Sequence, residues 1–188
     1  MSDSTAAAYY EEARRAFRGY KRMAEGAFAQ IRNDEEFFYA PDSESLSLAL
    51  IVKHLAGNLR SRWTDFLTTD GEKPDRNRDQ EFILRMEDTR ADLMRRWEES
   101  FTTVFASIGA LQPEHICQTV TIRGDAHTVL QAINRSLAHT AYHVGQITYL
   151  AKHIRREEWN TLSVPKGKSA EFNAMSAEER RAKFSSRP

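Results

Sequence analysis

The sequence predicts an all-α fold: an up-down four-helix bundle with a longer crossover before the last bundle helix and a C-terminal arm. Helix breakers are scarce, with 5 prolines and 8 glycines in 188 residues. They gather in a few places, so the segments between them are long. Within those segments apolar residues recur at three- and four-residue steps, the spacing that lines one face of a helix. The length allows one domain with a real core. Residues 1–188 are therefore read as a single bundle domain, with its core at about 5–155 and the arm at about 159–188.

The first segment, residues 5–32, carries Tyr9, Ala13, Phe17, Tyr20, Ala24, Phe28 and Ile31 on one face. A linker with Asp34, Phe37, Phe38, Pro41 and Asp42 follows. The second segment, residues 43–67, opens at Ser43 or Ser45, since a serine hydroxyl can accept from the first free amides of a helix. It places Leu46, Leu50, His54, Gly57, Asn58, Ser61 and Asp65 near one face. Asp70-Gly71 and Lys73-Pro74 mark residues 68–79 as a loop. The third segment, residues 80–108, has Phe82, Ile83, Met86, Leu93, Trp97, Phe101, Val104 and Phe105 at helical spacing, with Gly109 as its C-cap. His115 to Arg123 alternates and is rich in β-branched residues, which fits a short strand or an extended crossover. The fourth segment covers residues 125–155. The tail carries Pro165 and Gly167 and then a short polar helix near residues 177–184.

Charge and cysteine content exclude several classes. Lysine plus arginine total 27, as do aspartate plus glutamate, for a formal net charge of zero. That balance gives no electrostatic reason to expect nucleic acid or an anionic membrane as partner. The single cysteine, Cys117, cannot form an internal disulfide, which fits a reducing compartment. Residues 1–8 lack the basic and apolar regions of a signal peptide. No apolar stretch approaches the roughly 18–20 residues needed to cross a bilayer. A cytoplasmic location is expected. Phosphate-binding glycine loops, H-E-x-x-H and G-x-S-x-G are absent from the sequence, which argues against nucleotide, zincin and serine-hydrolase chemistry.

Of the six histidines, three can meet. His139 and His143, in Ala138-His139-Thr140-Ala141-Tyr142-His143, stand at i and i+4 and so lie one above the other. Their face includes Ala132, Ser136, Gln146, Ile147 and Leu150 and should point inward. A buried ring needs a partner. His54 lies on the inward face of the second segment, beside Gly57 and Ser61, whose small size lets another helix come near. Three imidazoles on a divalent metal leave a position open for water or substrate, the arrangement of a catalytic site. His115, His127 and His153 are read as surface or capping residues.

These elements resemble the DinB/YfiT-like superfamily. The order is similar: one histidine on the second helix, in His54-Leu55-Ala56-Gly57-Asn58, then a paired H-x-x-x-H followed by Gly145-Gln146 on the last bundle helix. The stretches from Arg62 to Pro74 and from Trp159 to Gly167 resemble an uncharacterised bacterial branch of it. The resemblance spans about residues 9–173. It implies a metal site of His54, His139 and His143 holding zinc, nickel or a similar divalent ion, and often a homodimer. Relatives in that superfamily include thiol-dependent S-transferases and isomerases that use small thiol cofactors.

The expected function is therefore a metal-dependent enzyme acting on a small-molecule substrate, a hydrolase or small-thiol S-transferase. A non-catalytic metal- or small-ligand-binding bundle is the alternative, and a plain structural dimer with hydrogen-bonded histidines is a third reading. Asn58 and Gln146, one turn from the ligands, could orient a substrate or hold the imidazoles from behind. No dedicated general base stands out, since Asp65 lies about three turns beyond His54. Arg60, Arg62, Arg76, Arg78 and Arg123 flank the expected mouth and could attract a carboxylate. Tyr142 is a candidate proton donor with packing as its plainer role, and Cys117 is read as structural. Trp63 and Phe66 are read as aromatic residues outside the inner faces, consistent with a dimer.

Overall fold

The computed structural model describes residues 2–180. Four long helices dominate it: α1 (Asp3–Phe28), α3 (Leu48–Trp63), α4 (Arg90–Gly109) and α5 (Val129–Arg155). Two short helices, α2 (Asp34–Phe38) and α6 (Ser169–Ala174), sit in the connections. The all-α expectation holds. The tail also begins a helix at residue 177, but most of the expected 177–184 helix lies outside the described residues.

Each long helix starts where a hydroxyl can cap it. Ser2, Ser47, Thr89 and Thr128 accept from backbone amides three residues on. The cap of α3 is thus Ser47, beyond Ser43 and Ser45. Thr128 and Gln131 cap one another's backbone reciprocally, which satisfies two otherwise free donors at the start of α5.

Helix directions follow from the contacts between their ends. Tyr9 in α1 donates to Asn134 near the start of α5, while Gln30 beyond α1 meets Asn160 beyond α5, so these two helices are parallel. Arg90, opening α4, reaches the Phe28 and Ile31 carbonyls at the far end of α1, so α4 runs the other way. Lys53 in α3 pairs with Asp88 just ahead of α4, and Ser107 late in α4 donates to the Trp63 carbonyl ending α3. The helices α3 and α4 are therefore parallel. Along the chain the bundle runs up, down, down, up, so the expected up-down alternation does not hold: besides the connection before the last helix, parallel α3 and α4 require a long return between them.

That return spans residues 64–89, because the third helix starts later than its spacing suggests. Residues 79–82 form a single 3-10 turn and the helix begins at Arg90. Phe82, Ile83 and Met86 keep helical spacing, yet Met86 is 100% exposed and Ile83 50%. Asp88 decides against a continuous helix there. Its buried carboxylate accepts from Lys53 Nζ at 2.6 Å and from the Arg85 amide at 2.8 Å, which ties the chain into a turn just before the Thr89 cap.

The extended stretch is also shorter than expected. Residues Pro113–Cys117 make a 3-10 turn, and strand β1 (Thr119–Ile122) pairs antiparallel with β2 (Asp125–Thr128). Residues 125–128, expected within the last helix, are this second strand. Arg123 and Gly124 turn between the strands with φ of 58° and 79°, the left-handed pair that a two-residue hairpin loop demands. Asp70 anchors the turn by accepting from the Arg123 and Gly124 amides, each at 2.8 Å. The long return and the hairpin are thereby latched together.

The core is aromatic at its centre. Trp63 is 1% exposed and meets Phe17 edge to face at 5.6 Å, so it packs inward and gives no support to a dimer face. Phe66 is half-buried against it. Trp97 is buried between Phe28 and Phe101. No helix among the described residues is long and apolar enough to cross a membrane.

Replacing Thr128 with alanine should lower stability by about 1 kcal/mol in urea unfolding, the usual worth of such a cap. Adding Gln131→Ala should then cost less than Gln131→Ala alone.

Candidate metal site and its cavity

Antiparallel packing of α3 on α5 sets the site. Trp63 Nε1 donates to Ser136 Oγ at 3.0 Å at one level, and two and a half turns back along α3 His54 faces His139 and His143. His54 is 3% exposed and His143 5%. The Nε2 atom of His139 lies 3.4 Å from that of His54 and 3.2 Å from that of His143. One ligand atom from each residue fits within 4.8 Å of the others, so the three could hold a metal ion.

Two imidazoles are fixed from behind. His54 Nδ1 lies 2.8 Å from Glu81 Oε2, and His143 Nδ1 lies 2.8 Å from Gln146 Oε1. A carboxylate and an amide oxygen only accept, so both Nδ1 atoms carry the proton and both Nε2 atoms present lone pairs inward. His139 Nε2 faces both, and a single N–H there could serve only one of them. Protonating His139 or His143 does not resolve the conflict. Burial first, then the neighbouring histidines and the guanidiniums of Arg76 and Arg62, push His139 down to about 3. Burial and then His54 push His143 down to about 4, against the opposing hydrogen bond that its Nδ1–H donates to Gln146. A cation between the lone pairs does resolve it. Tetrahedral bonds of about 2.0–2.1 Å put neighbouring nitrogens about 3.3 Å apart, which the two spacings here match.

Glu81 is the residue that sequence reasoning missed. It lies in the 3-10 turn of the long return, is 7% exposed, and bridges His54 to Arg76. Arg76 grips both carboxylate oxygens, with Nε and Nη2 each at 2.8 Å. Burial alone would raise the Glu81 carboxyl, but the hydrogen bonds from His54 and Arg76 outweigh it and hold it below the usual range. Phe82 stacks on the His54 ring at 4.7 Å. The available signal was Gly57, a glycine inside a helix. A Cβ there would collide with the Glu81 carboxylate, whose carbon would stand 2.9 Å away. It is this carboxylate, and not another helix, that Gly57 admits.

A cavity of about 430 Å³ opens beside His54 and His139. Asn58, Arg62, Arg76, Arg78 and Arg123 line it, together with Arg135, which the sequence reading did not single out although it stands one turn before His139. Arg60 turns away and pairs with Asp75. Asp65 is exposed beyond the end of α3. Tyr142 is 62% exposed, accepts from Gln146 and sets its ring edge-on to that of His143 at 4.9 Å. His115 takes a capping role, accepting from the Gln112 amide, while His153 and Cys117 are exposed.

The fold and this cluster define an all-α protein with three histidines that could bind a metal. The chain belongs to a family described as protein of unknown function, DUF1572, whose model matches residues 4–168. The chain matches no curated protein and no solved structure.

The close approach at Gly57 sets a direct expectation. Gly57→Ala should destabilise the protein by about 1–3 kcal/mol in urea unfolding, as overpacking does. A neutral effect would contradict the tight seat of Glu81.

Proposed function

We propose that this protein is a metal-dependent enzyme of the DinB/YfiT-like type, a hydrolase or small-thiol S-transferase. His54, His139 and His143 would hold one divalent ion, zinc or nickel. The observation that carries this reading is the meeting of three Nε2 atoms, two of them fixed as lone pairs by Glu81 and Gln146. Neutral imidazoles suit either metal. When bound, such an ion would lower the pKa of a coordinated water toward about 7 or hold a thiol as thiolate.

The chain's own side chains would do the rest. Glu81 orients His54 and raises its basicity as a ligand, and Arg76 keeps Glu81 ionised and in place. Gln146 does the orienting for His143. Phe82 covers the outer face of the His54 ring. Asn58 faces the cavity where a substrate would lie. The homodimer is part of this proposal, and the exposed Tyr142 and Tyr149 on one side of α5, 62% and 77% exposed, support it.

Elemental mass spectrometry on untagged protein tests the reading. About one metal per chain is expected in the wild type, with loss in both His54→Ala and His143→Ala. No metal after incubation with zinc and nickel would overturn it. Glu81→Gln should keep the fold and weaken metal binding about 10–100-fold in a chelator competition, the usual cost of losing such a partner. Turnover of a thiol or ester substrate panel, lost in each histidine variant, would separate an enzyme from a non-catalytic metal carrier.

A further inference from the structure

Two cavities that flank α3 differ in charge. The one between α3 and α4, about 580 Å³, is lined by five basic and five acidic side chains, among them the pairs Lys53 with Asp88 and Arg60 with Asp75. The cavity at the histidines is lined by five arginines, and no acidic side chain lines it among the described residues. In a chain of zero net charge this concentration is local.

The partners of those arginines do not neutralise them. Glu72 alone serves Arg62, Arg76 and Arg123, at 2.8, 2.9 and 3.4 Å. Glu81 takes Arg76 a second time. Arg78 has Asp79 at 3.9 Å and lies over the Phe82 ring. Arg135 has no ion pair among the described residues. Five guanidiniums thus share three carboxylates, which leaves two positive charges facing the cavity before any metal adds its own. Burial is the main reason that Arg62 lies below an arginine's usual value; Glu72 opposes the shift, and Arg76 and Arg123 add to it in smaller measure. Ser136, whose hydroxyl accepts from Trp63, also lines the cavity.

We infer that this cavity binds a small organic anion with two or more carboxylate or phosphate groups, reaching from the histidines to Arg78, Arg123 and Arg135. The inference rests on the proposed metal reading and names the substrate class of that site. A volume of about 430 Å³ admits a small molecule and no polymer. Guanidinium forks grip oxyanions bidentately, so both ends of the ligand would be fixed.

Cobalt-loaded protein tests this with two thiols, because a thiolate on cobalt gives a charge-transfer band. The probes are 2-mercaptoethanol, which is neutral, and mercaptosuccinate, which adds two carboxylates. Mercaptosuccinate should bind at least tenfold more tightly, and more so at low salt. Arg135→Ala and Arg78→Ala, both at exposed side chains, should each weaken mercaptosuccinate about tenfold and leave 2-mercaptoethanol unchanged. Succinate and inorganic phosphate then compete against mercaptosuccinate, and the stronger competitor names the oxyanion. Equal affinity for both thiols, no effect of either arginine variant, or competition by neither anion would overturn the inference while leaving the metal reading intact. Protein that takes up no cobalt would fail the metal reading, and the inference with it, whereas bound cobalt with no band from either thiol would overturn the inference alone.

Discussion

The site depends on one constraint: α3 and α5 run antiparallel and close enough for His54 to face the His139–His143 pair. Trp63 sets that contact by reaching Ser136 while its ring is wedged against Phe17. The same side chain therefore ties the aromatic core to the spacing of the histidines. The i and i+4 relation on α5 fixes two rings relative to each other, and the helix crossing fixes the third. With two Nδ1 atoms engaged from behind, the Nε2 atoms have nowhere to turn but toward one another.

The up, down, down, up course supplies what the helices cannot. A simple alternating bundle would join α3 to α4 by a short turn. Here residues 64–89 travel back along the bundle and lay Arg76, Glu81 and Phe82 over the open side of α3. Gly57 admits the carboxylate, Arg76 clamps it, and Asp70 pins the same return to the hairpin whose Arg123 walls the cavity. The connection thus builds the surroundings of the histidines, while the helices build the histidine cluster itself.

The helical faces and the histidine cluster were legible because each is a local or periodic signal. His139 and His143 are related by helical spacing alone, and His54 sits on a face whose neighbours are apolar or small. Glu81 was not legible, since its partner His54 is 27 residues away and joined through a loop without periodicity. Residues 80–89 mimic a helix in spacing, and only the buried pairing of Asp88 with Lys53 shows why they are not one. Arg135 was hidden differently. It stands on the right helix, one turn from His139, but an exposed arginine reads as a solvated charge until Arg62, Arg76, Arg78 and Arg123 are seen around the same cavity.

The central claim is that the three Nε2 atoms share one cation. Anomalous scattering at the zinc edge, from crystals grown with zinc, tests it most directly. The account predicts one strong peak bonded to the Nε2 atoms of His54, His139 and His143 at about 2.0–2.1 Å. No peak among the three histidines, or a peak bonded elsewhere, would contradict it.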